Sequence, residues 1–450
     1  MKHVVIIGNG IAGVTAARNI RKRCDDRISI VSAETEHFFS RTALMYVYMG
    51  HMKFEHTKPY EDWFWKKNKI DLVFERVTEV SFDSKTLVFS SGKSLPYDVL
   101  IIATGSKPNM FGWKGQDLIG AQGLYSYQDL LKLEENTDPP GTPESKRTVT
   151  RAVVAGGGLI GVELVEMLLS RHIEVYFLVR EKNFWNNVLP AEESKLIQDH
   201  MNEHHVHLRL EDEIAEIIDD GNGKVSSVLT KSGKVILCQI VGLTTGVSPN
   251  VDFLRTSGLE INRGILVDEY LQTNISDVYA IGDCAELKYP PQGRRSIEAV
   301  WYVGRMMGET VAETICGKRN KYRPGNWFNS AKFFDVEYQT YGDVPSQIAE
   351  ENTFVWRHPS KNILIRLVCD NQNILLGINV FGMRLRHEVV DRWLNEKRSM
   401  DYAVEHLADA NFDPEFYKRH EADIVAFYNK KYWKELKPAK KDWRRILGKL

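Results

Sequence analysis

Two glycine-rich runs carry the most legible chemistry in this 450-residue chain. They are Gly8-Asn9-Gly10-Ile11-Ala12-Gly13 and Gly156-Gly157-Gly158-Leu159-Ile160-Gly161. In such a run the first glycine permits a tight turn out of a strand. The second lets bare backbone approach a pyrophosphate, and the third lets the following helix pack closely on the strand. The helix start then offers free N–H groups and a partial positive charge to the phosphates. One such motif is a weak signal. Two of them, each at a strand-to-helix junction and about one domain apart, point to two bound dinucleotides with electrons passing between them. Acidic residues near the following strand ends can hold a ribose. Ser32 occupies the usual position after the first fingerprint, and Glu34, two residues on, is the ribose candidate. After the second fingerprint the corresponding strand ends in Arg180-Glu181. A glutamate there favours NADH and an arginine NADPH; a single basic residue tips the reading toward NADH.

The elements that must position these residues follow from the apolar pattern. Residues 4–7, a glycine turn, a helix over 12–23 and a strand over 28–31 open a doubly wound α/β domain. Residues 97–105 read as a buried strand ending in Ala103-Thr104-Gly105, followed by a crossing loop over 106–109. The stretch 134–150, rich in Pro, Glu, Thr and Lys, reads as an exposed linker. A second β–turn–helix follows over 151–170, then strands over 173–179 and 240–243 and a crossing stretch, 244–250. Residues 277–285 form an apolar strand that ends in Gly282-Asp283. From 326 onward the chain reads as a separate α+β domain, with strands over 332–341, 353–356, 362–368 and 374–380 and helices over 386–396 and 402–407.

Four motifs in this order, spanning residues 1–320, resemble the flavoproteins with two dinucleotide-binding domains, the pyridine nucleotide-disulfide oxidoreductase superfamily. Its members include glutathione reductase-like enzymes, rubredoxin and ferredoxin reductases, NADH oxidases, coenzyme A disulfide reductase and type II NADH dehydrogenases. The resemblance implies an α/β fold of two Rossmann-like domains, the NAD domain inserted in the FAD domain, plus a C-terminal α+β interface domain that often makes homodimers. The expected segments are 1–121 with 247–325 for FAD, 122–246 for NAD(P)H, and 326–450. It implies FAD and NAD(P)H as cofactors, with Ala103-Thr104-Gly105 linking the domains and Gly282 and Asp283 at the ribityl chain. Asp283 also suits the cap of a following helix. Ser40-Arg41 resembles the Ser-Arg or Ser-Lys of the rubredoxin and ferredoxin reductase branch, whose basic residue lies near the FAD. The glutamate of Gly-Gly-Gly-x-Ile-Gly-x-Glu, here Glu163, stands near the nicotinamide. Residues 296–305 resemble the helix whose N-terminus faces the flavin, with Glu298 and Trp301 lining the ring. Glu163 and Glu298 are the catalytic candidates. Type II dehydrogenases often show Ala-Gln where this chain has Ala299-Val300, which counts against a quinone site of that kind.

Absences narrow the chemistry further. The five cysteines form no C-x-x-C or close pair, which argues against a disulfide framework and a zinc site and fits a reducing compartment. Where disulfide reductases place their cysteines this chain reads Phe38-Phe39-Ser40-Arg41-Thr42-Ala43-Leu44, and Cys24 reads as a small packing residue. His200, His204, His205 and His207 cross from a helix end into a strand, so their side chains are expected to diverge, and no metal site is expected. The net charge of −1 implies no attraction to nucleic acid, and no apolar run reaches membrane-spanning length. A strand opens the chain with no signal segment before it, so the cytoplasm, or the inner face of its membrane, is the expected location. The tail 430–450 is basic, with Trp443, Ile446, Leu447 and Leu450 on one helical face. Such a helix suits an anionic membrane surface, an acidic partner, or docking on its own domain.

The expectation is an FAD-dependent NAD(P)H oxidoreductase without a redox-active cysteine. It would hand electrons to a carrier such as a ferredoxin or rubredoxin. A type II-like NADH:quinone dehydrogenase peripheral on the membrane is the second reading, and a sensor that binds FAD and NAD without turnover is the third.

Overall fold

A computed structural model describes residues 1–412 and 419–447. The chain divides into two compact units. One comprises Met1–Val175 with Ile214–Pro324, and the other Tyr176–Glu213 with Gly325–Leu450. The cut falls inside the segment 122–246.

The first unit is built on a parallel sheet. Its strands lie in the order Val278–Ala280, Val99–Ile102, His3–Ile7, Arg27–Ser32, Ile70–Phe74. The inner strands are continuous apolar runs because helices cover both faces of such a sheet. His3–Ile7 has its next strand in sequence on one side and Val99–Ile102 on the other. The turn after Ile7 therefore stands at the point where strand order reverses, which is where open α/β sheets bind ligands. The helix that follows, Ile11–Arg21, runs one residue earlier at its start and two residues shorter at its end than the expected 12–23. It packs against the helix Trp301–Ile315. Gly308 permits the close approach: a Cβ there would lie 2.6 Å from the carbonyl oxygen of Ala12.

The second fingerprint repeats the design. Arg151–Ala155 pairs in parallel with Ile240–Leu243, which pairs with Ala121–Gln122. The loop expected over 106–109 is instead the strand Ser106–Pro108. It pairs antiparallel with Val247–Pro249, so the two crossing segments hold each other. The linker expected over 134–150 begins as the end of the helix Tyr127–Asn136. A capping box starts that helix, with Ser126 accepting from Asp129 N and the Asp129 carboxylate accepting from Ser126 N.

In the second unit the last residues of the strand Glu174–Val179 pair in parallel with His207–Leu210, and the helix Ala191–Glu203 connects them. The rest is a five-stranded antiparallel sheet in the order Phe328–Phe333, Val336–Gly342, Leu375–Phe381, Leu364–Cys369, Thr353–Arg357. The single strand expected over 332–341 is a hairpin, broken at Phe334 (φ +56°) and Asp335. The pattern hid this, because the first turn residue, Phe334, is apolar and extends the run from Phe333. Helices His387–Asn395, Met400–Glu405 and Glu421–Tyr432 contribute to one core with this sheet. The last of these was not expected. Ile446 of the tail is buried in the same core, Arg445 pairs with Asp409 at 2.6 Å, and Arg392 donates to the carbonyl of Ile446 at 2.8 Å. Of the tail's expected apolar face, Trp443 is exposed. Leu450 and the side chain of Leu447 lie outside the described residues.

Candidate functional site

The six glycines divide by role. Gly8 has φ +113°, and a Cβ on it would lie 2.1 Å from the carbonyl oxygen of Ala103. Gly13 lies against the carbonyl of Gly8, where a Cβ would come within 2.1 Å. Gly10, between them, has ordinary φ (−69°) and nothing within 4 Å of where its Cβ would be. The first and third glycines are thus required by the fold, and the second keeps a face clear. The pattern recurs at Gly156 (φ +120°, Cβ 2.3 Å from Thr244 O) and at Gly158, again with open space. Gly161 is buried within the helix Leu159–Ser170. Gly10 and Gly158 are the residues preceding their helices. Neither helix has a side-chain cap or an acidic residue in its first turn, so the start of each is open to an anion. This arrangement fits a pyrophosphate at both places.

Around the first fingerprint several side chains converge. Arg41 holds Glu34 with two hydrogen bonds, at 2.9 and 2.6 Å, and lies over the ring of Tyr125 at 4.5 Å. Glu34 also accepts from the backbone N–H of Tyr127 at 2.9 Å. The carboxylate expected at a ribose and the guanidinium expected near the flavin are therefore partners of each other. Ser106 donates its hydroxyl to Asp283 at 3.0 Å and its N–H to the Tyr125 hydroxyl at 3.1 Å. Burial pushes the Asp283 carboxyl up, and the Ser106 hydrogen bond and the Arg41 charge oppose that. Asp283 stands in a single turn, Gly282–Cys284, followed by a strand. It therefore does not cap a following helix. Asn250 closes the site from the return crossing: its N–H donates to Gly105 O at 2.9 Å and its carbonyl accepts from Thr104 Oγ1 at 2.8 Å. Tyr125, Ser106 and Asn250 were not expected in these roles, since no motif marks them.

Glu298 precedes the helix Trp301–Ile315, and Arg294 binds both its carboxylate oxygens at 2.7 and 2.6 Å. This pair is almost wholly buried, at 7% and 6% side-chain exposure. Trp301 is the first residue of that helix and is exposed. Glu163 lies in the second turn of the helix Leu159–Ser170. Burial first, and the charge of Glu166 second, push its carboxyl up to about 7. In the second unit Arg180 and Glu181 pair with each other at 2.9 Å.

All five cysteines are free and all are among the described residues. Cys284, next to Asp283, is fully buried and donates to the carbonyls of Ile102 and Ile281, and burial pushes its thiol up. Cys24 and Cys316, with Sγ atoms 2.9 Å apart, lie at the far ends of the paired helices, about 16 Å of helix from Gly10. Cys238 is buried, with its thiol pushed up to about 12 by burial. The buried thiols of Cys284 and Cys238 are not poised as thiolate nucleophiles.

The parallel sheets and the two glycine fingerprints define the fold of the flavoproteins with two dinucleotide-binding domains. Residues 2–308 match the family model for pyridine nucleotide-disulphide oxidoreductases, and the chain belongs to that family. It is 28% identical over 386 residues to the NAD(P)H nitrite reductase of Bacillus subtilis (strain 168). That match covers 85% of this chain and 46% of the relative, so the chain spans about half the relative's length. It is 27% identical over 318 residues to the ferredoxin–NAD(+) reductase subunit of the benzene 1,2-dioxygenase system of Pseudomonas putida, covering 70% of this chain and 75% of that one. The structure of an NAD-dependent persulfide reductase from A. fulgidus superposes with a TM-score of 0.81 at 25% identity. The superposition covers 95% of this chain and 83% of that one.

Proposed function

We propose that this chain takes hydride from NAD(P)H and delivers electrons singly to an iron–sulfur carrier protein of the ferredoxin or rubredoxin kind. Bound FAD supplies the exchange between a two-electron donor and a one-electron acceptor. The observation that carries the reading is the make-up of the Arg41 cluster. Ser40-Arg41 stands where disulfide reductases hold a thiol, and Cys284, next to Asp283, is buried with its thiol pushed up by burial. The name of the Pseudomonas relative supports the same acceptor class.

The geometry supports these roles. The helix starts at Gly10 and Gly158 receive the pyrophosphates. Glu34 and Arg41, held together, present a carboxylate edge to a ribose and a guanidinium fork to the cofactor's anionic oxygens. Asp283, fixed by Ser106, accepts from a ribityl hydroxyl. Glu163 holds a proton at its carboxyl beside the nicotinamide, and Glu298 braces the loop ahead of Trp301 through Arg294. The Arg180–Glu181 pair leaves a ribose-binding carboxylate at the strand end, which favours NADH. Two copies pairing through 326–450 complete the reading, with a light-scattering mass of one chain as the result that removes it. Among the described residues no helix is long and apolar enough to cross a membrane. The free cysteines suit the cytoplasm, and the tail is the segment by which the chain would touch a membrane face.

The test is anaerobic stopped-flow mixing of the flavin-loaded protein with NADH, then NADPH, followed by oxidised ferredoxin, rubredoxin or a water-soluble quinone. Rapid bleaching of the ~450 nm flavin band, then faster reoxidation by an iron–sulfur carrier than by quinone, is expected. Reoxidation by quinone alone moves the assignment to the quinone class. A flavin that neither nucleotide reduces removes the enzyme reading of the site and leaves a binding role.

A further inference from the structure

Within the second unit, the end of the helix Ala191–Glu203 meets the turn of the hairpin Phe328–Gly342. Three metal-ligating side chains converge there, none of them among the residues assigned above. His200 and His204, one helical turn apart, place their rings 4.6 Å from each other. Asp335, at the hairpin turn, has Oδ1 at 2.6 Å from His200 Nε2 and 3.5 Å from His204 Nε2. One ligand atom from each residue lies within 4.8 Å of the others. The divergence expected from the sequence holds for His207, which stacks on Tyr176, but not for this pair. The helix runs to Glu203 and keeps both rings on one face before the chain turns at His205 (φ +59°).

Three features distinguish this cluster from an ordinary surface grouping. His200 is 4% exposed at its side chain, and its Nε2 is buried and lacks a hydrogen bond of good geometry, although Asp335 Oδ1 is close by. The opposite ring nitrogen, Nδ1, is 3.2 Å from Glu203 Oε2, and Asn362 Nδ2 lies 2.9 Å from Nδ1 and 3.2 Å from the same carboxylate. The Asn362 amide and the Glu203 carboxylate thus hold the ring from its Nδ1 side and direct Nε2 at the cluster, as the outer partners of metal-bound histidines do. Finally, the rings are already oriented. His204 stacks on Phe334 at 4.4 Å, and His200 meets the same ring edge-on at 5.8 Å. Phe334 itself is held at positive φ, a strained conformation that turns Asp335 toward the histidines.

We infer that His200, His204 and Asp335 bind a divalent cation of the zinc class. Two imidazole nitrogens and one carboxylate oxygen suit a borderline ion in a tetrahedral set whose fourth position is open to water. Asp335 Oδ1 lies at 2.6 Å from His200 Nε2, hydrogen-bonding distance, and a bound cation would take the place of the proton between them and open that distance to ordinary ligand spacing. Access is direct, because His204 and Asp335 are exposed at 41% and 79%. The ion would pin the helix end to the hairpin turn, a structural role independent of the electron acceptor.

The test uses the full-length flavin-loaded protein, stripped with a chelator and dialysed. Zinc chloride is titrated against a chromophoric zinc indicator, and cobalt chloride is followed at wavelengths beyond the flavin absorption. One zinc per chain, a rise in melting temperature, and cobalt d–d bands are expected. His204→Ala and Asp335→Ala, which change exposed side chains, should each weaken zinc binding about tenfold or more and abolish the cobalt bands. His207→Ala should leave both unchanged. Because His200→Ala removes a buried ring and can fail to fold, the two exposed positions carry the decision. Absence of zinc binding by the parent protein overturns the site. So does binding that survives unchanged in both His204→Ala and Asp335→Ala.

Discussion

At the scale of the residue, Glu163 is the most informative side chain. Its carboxyl, pushed from 4.5 up to about 7 by burial and by Glu166, keeps a proton in the folded chain that the unfolded chain releases. Its contribution to stability is therefore full below pH 4.5 and declines as the pH rises through about 7. The loss totals about 3 kcal/mol. Glu163→Gln should be more stable than the parent in denaturant melts at pH 8 and no different near pH 4. The same substitution should remove a step near pH 7 from the pH profile of kcat/KM for NAD(P)H. The glycines separate fold from function in the same way. Gly8→Ala drives a Cβ into the Ala103 carbonyl from a positive φ and should cost about 3 kcal/mol or more. Gly10→Ala meets open space at ordinary φ. It should melt like the parent yet purify with less bound flavin, read as the ratio of flavin to protein absorbance. Equal loss of stability in both variants would refute this division of roles.

At the scale of the element, a buried ion pair ties a helix to a sheet in the second unit. Arg366 on Leu364–Cys369 binds Glu193 of Ala191–Glu203 at 2.6 and 2.9 Å, with Glu193 fully buried and Arg366 at 3% exposure. Its other contacts are Glu192 at 2.6 Å and Thr353 Oγ1 at 2.9 Å. Removing one member strands the other charge, so Arg366→Ala should cost about 3–5 kcal/mol in equilibrium unfolding. Arg366→Ala with Glu193→Ala should recover part of that loss, because the stranded carboxylate is then gone. The strand-like runs over 353–356, 362–368 and 374–380 gave no sign of the helix they would pair with. A charge at a buried position becomes intelligible only when its counter-charge, 173 positions away, is seen beside it.

At the scale of the whole molecule, the basic tail is the part whose role changes most. Its sequence suits an anionic surface as well as self-docking. Ile446 is buried in the C-terminal core and Arg445 is spent on Asp409. Ile446→Ala should therefore lower stability by about 2 kcal/mol or more, as for other buried aliphatic truncations. Sedimentation with vesicles containing anionic lipid should be weak for the parent chain. Strong, salt-sensitive sedimentation that Ile446→Ala leaves intact would return the tail to the membrane.

The sequence alone determined the α/β class, the two fingerprints and their cofactors, and the absence of a cysteine beside Ser40. Each of these is written locally, in a strand, a glycine turn and a helix start whose geometry depends on a few consecutive residues. The tertiary structure decided what local pattern cannot encode. It joined Glu34 to Arg41 and put Ser106, Tyr125 and Asn250 around Gly105 and Asp283. It occupied Glu298 with Arg294, turned 328–342 into a hairpin, and brought Asp335 to His200 and His204. The reason is physical. Hydrogen bonds, ion pairs and ligand sets depend on distances of about 3 Å between groups far apart in the chain, and only the packing of whole elements sets those distances.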